Sequence, residues 1–118
     1  MVKRVLVVDD HPGVTLALRV SFRLDGRFAV SDSAETAADG LAKLDGQDAV
    51  LLDLHLPDLS GLPLVRAFRA RRPEVPIVLH SAAGDSPEVD AVRGLVDAVT
   101  VKGPVDELLA VLGRLTAG

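Results

Sequence analysis

The stretch Val5-Leu6-Val7-Val8-Asp9-Asp10 decides the fold, because an unbroken, mostly β-branched apolar run ends abruptly in two carboxylates. A strand without alternating polar residues is usually buried on both faces, as in a parallel sheet. Two more runs of this kind occupy residues 49–52 and 76–79, and shorter strand candidates occupy 28–30 and 98–101. The sequence therefore predicts a sheet of five strands.

Helical patterns fill the intervals between the predicted strands. The first predicted helix occupies residues 12–24, with Pro12 near its first turn, and Ser33 could cap a second helix that holds Ala34 and Leu44. The other predicted helices occupy residues 62–71, 87–93 and 105–115. Strands that alternate with helices predict an α/β fold in which helices cover both faces of a parallel sheet.

Bulk composition limits the classes of protein to which the chain can belong. Its 118 residues suffice for one domain, 1–118, and its net charge of −4 offers no basic surface for nucleic acid. It has no cysteine, which excludes disulfides and thiolate metal sites and fits a reducing cytoplasm. No apolar stretch is long enough for a signal-peptide core or a membrane span, so we expect a cytoplasmic protein without membrane contact.

A polar or charged residue follows each of four predicted strands. The first strand ends in Asp9-Asp10, the third in Asp53, the fourth in Ser81-Ala82 and the fifth in Lys102-Gly103. In open α/β sheets, ligand sites form outside the carboxyl ends of the strands. We therefore expect three carboxylates, a hydroxyl and an ammonium on one rim of the sheet.

Three carboxylates on one rim need a counter-charge. Two carboxylates about 5 Å apart repel by roughly 3 kcal/mol at an effective dielectric constant of about 20. Mg2+ is the expected partner, because it prefers carboxylate oxygens and often bridges them to phosphate. An ionised Asp53 near Mg2+ and Lys102 is an acceptable nucleophile for phosphoryl transfer, and Ser81 and backbone N–H groups would bind the phosphoryl oxygens.

Each of these residues also has an ordinary structural interpretation. Asp10 and Asp53 could start turns or cap helices. Ser81 could be a loop hydroxyl, and Lys102 could be a surface charge. The joint pattern favours the functional interpretation, because all of these groups follow strands and their chemistry is complementary.

Four segments make the chain resemble the receiver domains of bacterial two-component response regulators, and most of all the NarL/FixJ type. The segments are Val5-Leu6-Val7-Val8-Asp9-Asp10-His11-Pro12, Leu51-Leu52-Asp53-Leu54-His55-Leu56-Pro57-Asp58-Leu59-Ser60-Gly61, Pro76-Ile77-Val78-Leu79-His80-Ser81-Ala82 and Val101-Lys102-Gly103. The resemblance covers essentially the whole chain. It implies a CheY-like, or flavodoxin-like, (βα)5 doubly wound fold with a five-stranded parallel sheet of order 2-1-3-4-5.

The resemblance also implies a phosphoacceptor and a metal site. Asp53 would take the phosphoryl group. Mg2+ would be held directly by Asp10 and Asp53, mainly through water by Asp9, and by the backbone carbonyl of His55. Gly61 would permit the turn into the third helix.

A switch is implied for the same rim. Ser81 would bond a phosphoryl oxygen and move on activation, and Lys102 would pair with the acceptor or its phosphate. The implied switch residues are Ser81, Ala82 and Val99. The family often has an aromatic residue at the position of Val99, so any switch here would rest on Ser81 and its neighbouring loops. The family also often has Pro directly after the late Lys, where this chain has Gly103.

The resemblance implies partners as well. The phosphodonor would be a sensor histidine kinase or a phosphotransfer protein, and the domain would catalyse only its own phosphorylation and dephosphorylation. The chain could be a stand-alone regulator or the receiver part of a longer transcription factor with a DNA-binding domain beyond Gly118. The NarL/FixJ-like appearance favours the second, with transcription as the output and no direct nucleic-acid binding by this segment. Leu16, Val20 and Leu24 form a second apolar row on the first helix, which could serve a partner or a homodimer.

Three other functions compete with this interpretation. A haloacid-dehalogenase-like phosphohydrolase would need Asp at the position of His55. A nucleotide or flavin site would need a Gly-rich or hydroxyl-rich turn after the first strand, where Asp9-Asp10 would repel phosphate. A receiver-like interaction module that works without phosphorylation stays open, although such modules typically lose part of the acidic and lysine set.

The histidines His11, His55 and His80 all fall near the same rim. Imidazole suits transition metals, but we favour an interpretation without a specific imidazole site. Side chains alternate along a strand, so His80 should point away from the face that Ser81 addresses. His55 could control how long the phosphate survives by shaping the access of water.

Overall fold

Strands and helices alternate along the chain in the computed structural model, which describes residues 1–117. Within that range the strands are β1 (Lys3–Val8), β2 (Phe28–Ala34), β3 (Ala49–Leu52), β4 (Ile77–Ser81) and β5 (Ala98–Val101). The helices are α1 (Pro12–Asp25), α2 (Ala37–Ala42), α3 (Gly61–Arg71), α4 (Pro87–Val92) and α5 (Asp106–Thr116), with a 3-10 turn at Arg93–Leu95. No helix in the described part of the chain has the length and apolar character needed to cross a membrane.

The strands form one parallel sheet of order β2-β1-β3-β4-β5, which confirms the predicted fold. The order reverses between β1 and β3, where Val8 is paired with Leu52. The residues that follow these two strands therefore lie side by side. This is the point at which ligands bind in open α/β sheets.

The sheet is covered on both faces, as the unbroken apolar runs predicted. Val7 belongs to a buried cluster with Phe22 of α1, and residues of α5 belong to the same cluster. Val8 belongs to the opposite cluster with Phe68 of α3, together with residues of α2 and α4. Burial of one such side chain stabilises the fold by roughly 1.5–3 kcal/mol, so both faces fix the strands that carry the rim.

The prediction for the start of the second helix was wrong. Ser33 does not cap it: Ser33 and Ala34 belong to β2, and α2 begins only at Ala37. Thr36 is the cap instead, and its Oγ1 accepts a hydrogen bond from the backbone N–H of Asp39 at 3.1 Å. The reason is pairing with β1, because the carbonyl of Ala34 accepts a hydrogen bond from the N–H of Asp9 at 2.9 Å.

Two glycines adopt backbone conformations that other residues rarely take. Gly61 has φ of 65° at the first position of α3, in agreement with its predicted role in the turn. Gly103, in the place of the family's common Pro, has φ of 143°. The peptide bonds of residues 1–117 are all trans, including the bond between Lys102 and Gly103.

Candidate functional site

The predicted site residues meet at the carboxyl ends of β1, β3, β4 and β5. Asp10, Asp53, Ser81 and Lys102 line one cleft. Asp9 lies beneath it with only 2% of its surface exposed. The rim therefore gathers the carboxylates, the hydroxyl and the ammonium as the sequence predicted.

Lys102 bridges two of the carboxylates. Its Nζ lies 2.8 Å from Asp9 Oδ2 and donates a hydrogen bond to Asp53 Oδ2 at 3.2 Å. Burial by itself would lower the pKa of Lys102, but the contacts with Asp9 and Asp53 more than offset it, so the pKa is raised. Burial would likewise raise the pKa of Asp9, but Lys102 and the N–H groups of His11 lower it. Both groups are thus held in their charged forms.

His11 reaches all three carboxylates. Its backbone N–H donates to Asp9 Oδ1 at 2.9 Å, and its ring Nδ1 lies 2.8 Å from the same oxygen. The ring nitrogen also lies 3.0 Å from Asp10 Oδ1 and 3.7 Å from Asp53 Oδ2. The hydrogen bond to Asp9 and the charges of Asp10 and Asp9 raise the pKa of this exposed imidazole. Sequence reasoning did not include His11 among the site residues.

The donor set fits a small divalent cation. Ligand atoms of Asp9, Asp10, His11 and Asp53 all lie within 4.8 Å of one another. Asp9 Oδ2 and Asp10 Oδ1 are shielded from solvent without a hydrogen-bond partner; the ammonium close to Asp9 is not aligned for one. A buried polar atom left unpaired costs about 1–3 kcal/mol, and Mg2+ would satisfy such carboxylate oxygens.

The loop between β3 and α3 carries His55 and is closed on itself. His55 forms an isolated antiparallel β-bridge with Ser60, and the N–H of Gly61 donates a hydrogen bond to the carbonyl of Leu54 at 3.0 Å. The backbone N–H of His55 donates to Asp53 Oδ1 at 3.2 Å. These bonds fix the backbone directly beside the carboxylate of Asp53.

Asp58 fastens that loop to α2. Its two carboxylate oxygens accept hydrogen bonds from the backbone N–H groups of Ala37 at 2.8 Å and Ala38 at 3.0 Å. The same two bonds lower the pKa of Asp58. No pattern in the sequence indicates this contact, because an acidic residue in a loop is ordinary and its partners lie 20 and 21 positions away.

The predicted switch residues lie on the β4 and β5 side of the rim. Ser81 and Ala82 line the cleft, and the carbonyl of Ser81 accepts a hydrogen bond from the N–H of Lys102 at 2.7 Å. Val99 is paired with Leu79 in the sheet and packs, partly buried, against the cluster of α2, α3 and α4. The cleft and the position of Val99 are thus joined through two neighbouring strands.

The other two histidines differ from His11. His80 is 5% exposed and lines a separate cavity beside α1, away from the cleft of Ser81, as strand alternation predicted. Burial lowers its pKa. His55 is exposed, and its Nε2 lies 3.8 Å from Glu88 Oε2 across the cleft.

Comparison with known proteins identifies similar chains. Residues 5–111 match the family model described as the response regulator receiver domain. The chain is 36% identical over 107 residues to the transcriptional regulatory protein KdpE of Mycobacterium tuberculosis, covering 90% of this chain and 47% of KdpE. It is 33% identical over 112 residues to the cell cycle response regulator CtrA of Brucella ovis, covering 91% of this chain and 47% of CtrA. The chain spans about half the length of these curated relatives.

A solved structure of similar shape is response regulator protein TrrA of Thermotoga maritima in complex with Mg2+-BeF. It matches with a TM-score of 0.84 and 29% identity, and the match covers 96% of this chain and 98% of TrrA. The agreement in shape therefore extends over nearly the whole of both chains.

Proposed function

This chain belongs to the response regulator receiver domain family, and from that premise we propose that it accepts a phosphoryl group on Asp53 in a Mg2+-dependent reaction. The observation that carries the proposal is the contact of Lys102 with Asp53 at 3.2 Å, beside the carboxylate of Asp10, whose Oδ1 has no hydrogen-bond partner. The Mg2+ in the TrrA structure supports the choice of metal.

The proposed metal ligands are Asp10, Asp53 and the backbone carbonyl of His55, with Asp9 acting mainly through water. When bound, Mg2+ would neutralise negative charge on the carboxylates and on the phosphoryl oxygens. Asp9 also keeps the ammonium of Lys102 within reach of Asp53, because it lies 2.8 Å from Nζ.

Asp53 is proposed as the nucleophile. Its Oδ1 is held by the backbone N–H of His55 and its Oδ2 by Lys102. One oxygen would form a bond to phosphorus while the donor's bond to phosphorus breaks, which transfers the group without a change of oxidation state. Lys102 and the hydroxyl of Ser81 would bind the phosphoryl oxygens. The domain would thus catalyse only its own phosphorylation and dephosphorylation.

We further propose the partners and the setting. The phosphodonor is a sensor histidine kinase or a phosphotransfer protein in the cytoplasm, and the switch involves Ser81, Ala82 and the region of Val99. KdpE is named a transcriptional regulatory protein, which supports transcription as the output of a longer protein. The NarL/FixJ subtype and a homodimer are proposals from the sequence, as is the lack of direct nucleic-acid binding.

Intact mass spectrometry tests the proposed function. The protein is incubated with Mg2+ and acetyl phosphate, beside an Asp53→Asn variant. We expect the mass of one phosphoryl group to be added to the wild type, and to be lost in the variant and when Mg2+ is removed. Folded wild-type protein that gains no mass would instead favour an interaction module that works without phosphorylation.

A further inference from the structure

We propose that the imidazole of His11 is a direct ligand when Ni2+ or Zn2+ occupies this site, and that it raises the affinity of the site for these ions and not its affinity for Mg2+. The inference rests on the proposed metal-dependent function of the same site. It adds a nitrogen donor to a set that was otherwise composed of oxygens.

The ring nitrogen of His11 lies close to the carboxylate oxygens. Ligand atoms that bond to one small cation at about 2.1 Å lie about 3 Å apart when they are adjacent. The ring Nδ1 of His11 lies 2.8 Å from Asp9 Oδ1, 3.0 Å from Asp10 Oδ1 and 3.7 Å from Asp53 Oδ2. The nitrogen therefore already lies at the spacing of a neighbouring ligand.

The hydrogen bond of the His11 ring leaves Asp10 Oδ1 without a partner. The Nδ1 atom carries at most one proton, which it can donate to Asp9 Oδ1, an oxygen that also accepts the backbone N–H of His11, and this proton would be released to solvent when the nitrogen bonds a metal. Asp10 Oδ1 remains shielded from solvent and without a hydrogen bond. A hydrogen bond from the ring thus goes to Asp9 Oδ1, which already accepts another hydrogen bond. A cation bound between the groups would instead contact the carboxylates of Asp9 and Asp10 and the ring nitrogen of His11.

The start of α1 determines where the His11 ring lies. His11 is the residue before α1, and Pro12 begins that helix and restricts His11 to the extended conformation that it has, with φ of −108° and ψ of 100°. The ring is directed toward the carboxylates although the side chain is 63% exposed. His55 faces Glu88 and His80 lines a different cavity, so neither supplies this nitrogen.

The chemistry of the donor sets the selectivity. Oxygen donors suit Mg2+, whereas imidazole nitrogen suits Ni2+ and Zn2+, which also bind nitrogen–oxygen sites more tightly in general. Exchange of one water or carboxylate oxygen for a nitrogen therefore favours the late transition metals. Mg2+ would retain its oxygen ligands and bind nearly as well without the ring.

Isothermal titration calorimetry with NiCl2 and, separately, MgCl2 tests the proposal on the wild type, His11→Ala and His11→Asn. Loss of an outer partner of a metal ligand typically costs 10–100-fold in affinity, so loss of a direct ligand should weaken Ni2+ binding at least about tenfold. Mg2+ affinity should change little. Asn can still donate a hydrogen bond to Asp9, so it separates ligation from hydrogen bonding.

Asp45→Asn is the control, because it alters an exposed side chain that is paired with Arg71 at the last residue of α3 and is not a candidate ligand. We expect its Ni2+ affinity to equal that of the wild type. Equal Ni2+ binding by wild type and His11→Ala would overturn the proposal, as would wild-type Ni2+ affinity in His11→Asn. An equal loss of Ni2+ and Mg2+ affinity would assign His11 to positioning of the carboxylates and would also overturn it.

Pulsed EPR of Cu2+, an ion that imidazole also suits, bound to the wild type gives a readout that needs no variant. We expect a nuclear coupling from directly bonded nitrogen, and its absence would contradict ligation. Phosphorylation with Mg2+ and acetyl phosphate, measured by mass, separates the two proposals. Phosphorylated protein without a His11 effect would refute only this inference, whereas His11-dependent Ni2+ binding without phosphorylation would refute only the proposed function.

Discussion

At the scale of single residues, the rim is a cluster of three carboxylates whose negative charge is only partly offset by one ammonium and one imidazole. Lys102 contacts Asp9 and Asp53, whose side chains are only 2% and 8% exposed. His11 contacts the same two residues and Asp10 from the solvent side. Lys102 and His11 therefore offset part of the repulsion among the three carboxylates.

The first prediction concerns pH and Lys102. The depressed pKa of Asp9 means that its contribution to stability is present above its ordinary value of 3.8 and is lost as the pH falls below that value. The raised pKa of Lys102 means that its contribution is present below 10.5 and is lost as the pH rises above that value. We expect Lys102→Met to lower the free energy of unfolding at neutral pH by about 1–3 kcal/mol in EDTA, because two buried carboxylates lose their partner.

Urea unfolding across the pH range measures this. The difference between Lys102→Met and the wild type should shrink in acid, where the carboxylates are protonated in both proteins. A difference that did not depend on pH would show that Lys102 stabilises the fold through its apolar stem and not through its charge.

The second prediction concerns His55 and the lifetime of the phosphate. The exposed ring lies 3.8 Å from Glu88 across the entrance of the cleft, so its removal should admit water more freely. We expect His55→Ala to lose its phosphoryl group faster than the wild type, followed by intact mass over time. The hypothesis fails if the two half-lives are equal.

At the scale of secondary-structure elements, the long apolar strands were predictable and the second βα unit was not. The runs at 5–8 and 49–52 contain no polar residue, so their burial in the sheet could be read directly. Ser33, however, is a good helix cap by type, and only pairing of β2 with β1 shows that it belongs to a strand. That pairing joins residues distant in the sequence, which a local pattern does not contain.

The candidate site shows the same division. The polar and charged residues that follow the strands could be identified as site residues, because the carboxyl ends of parallel strands lie along one rim of the sheet. His11 and Asp58 were missed as contacts because their partners are set by the start of α1 and by a loop that reaches α2. The roles assigned to the strand-end residues stay predictions until the phosphorylation experiment is done.

The third prediction concerns the packing of α2 on β1. A methyl group at Gly40 would lie 2.9 Å from Val8 Cγ2 and 3.0 Å from Phe68 Cζ, both in the buried core. We expect Gly40→Ala to destabilise the protein by about 1–2 kcal/mol, because overpacking outweighs the gain in helix propensity of about 1 kcal/mol. Urea unfolding measures the difference.

Gly113→Ala is the matched control. This glycine lies in α5, and its added methyl would meet only the end of the flexible Arg27 side chain at 3.1 Å. We expect a gain of up to about 1 kcal/mol from helix propensity. Equal effects at the two positions would contradict the close approach of α2 to β1.

At the scale of the whole molecule, the proposed metal site gathers residues from widely separated parts of the chain. Asp10 follows β1, Asp53 follows β3 and Lys102 follows β5, so the site exists only when the sheet is assembled. A ligand that binds only the folded form raises the free energy of unfolding by mass action. Metal binding should therefore stabilise the whole domain and not one loop.

The fourth prediction follows from this coupling. Mg2+ at about 100 times its Kd should raise the free energy of unfolding by about 2.7 kcal/mol. Asp10→Asn should abolish most of this gain, while Asp45→Asn, which makes the same charge change at a residue paired with Arg71 at the last residue of α3, should retain it. Thermal or urea unfolding with Mg2+ or EDTA measures both. An equal gain in the two variants would argue against Asp10 as a ligand.

Because the carboxylate of Asp58 is hydrogen-bonded to the first turn of α2, that turn can report on changes in the loop that follows the proposed phosphoacceptor. The amide protons of Ala37 and Ala38 are bonded to a loop that begins directly after Asp53. When that loop shifts, both amides are released and should exchange with deuterated water more quickly. Hydrogen exchange at the first turn of α2 would then record events at the rim, on a helix that carries no candidate ligand and without any label near the acceptor.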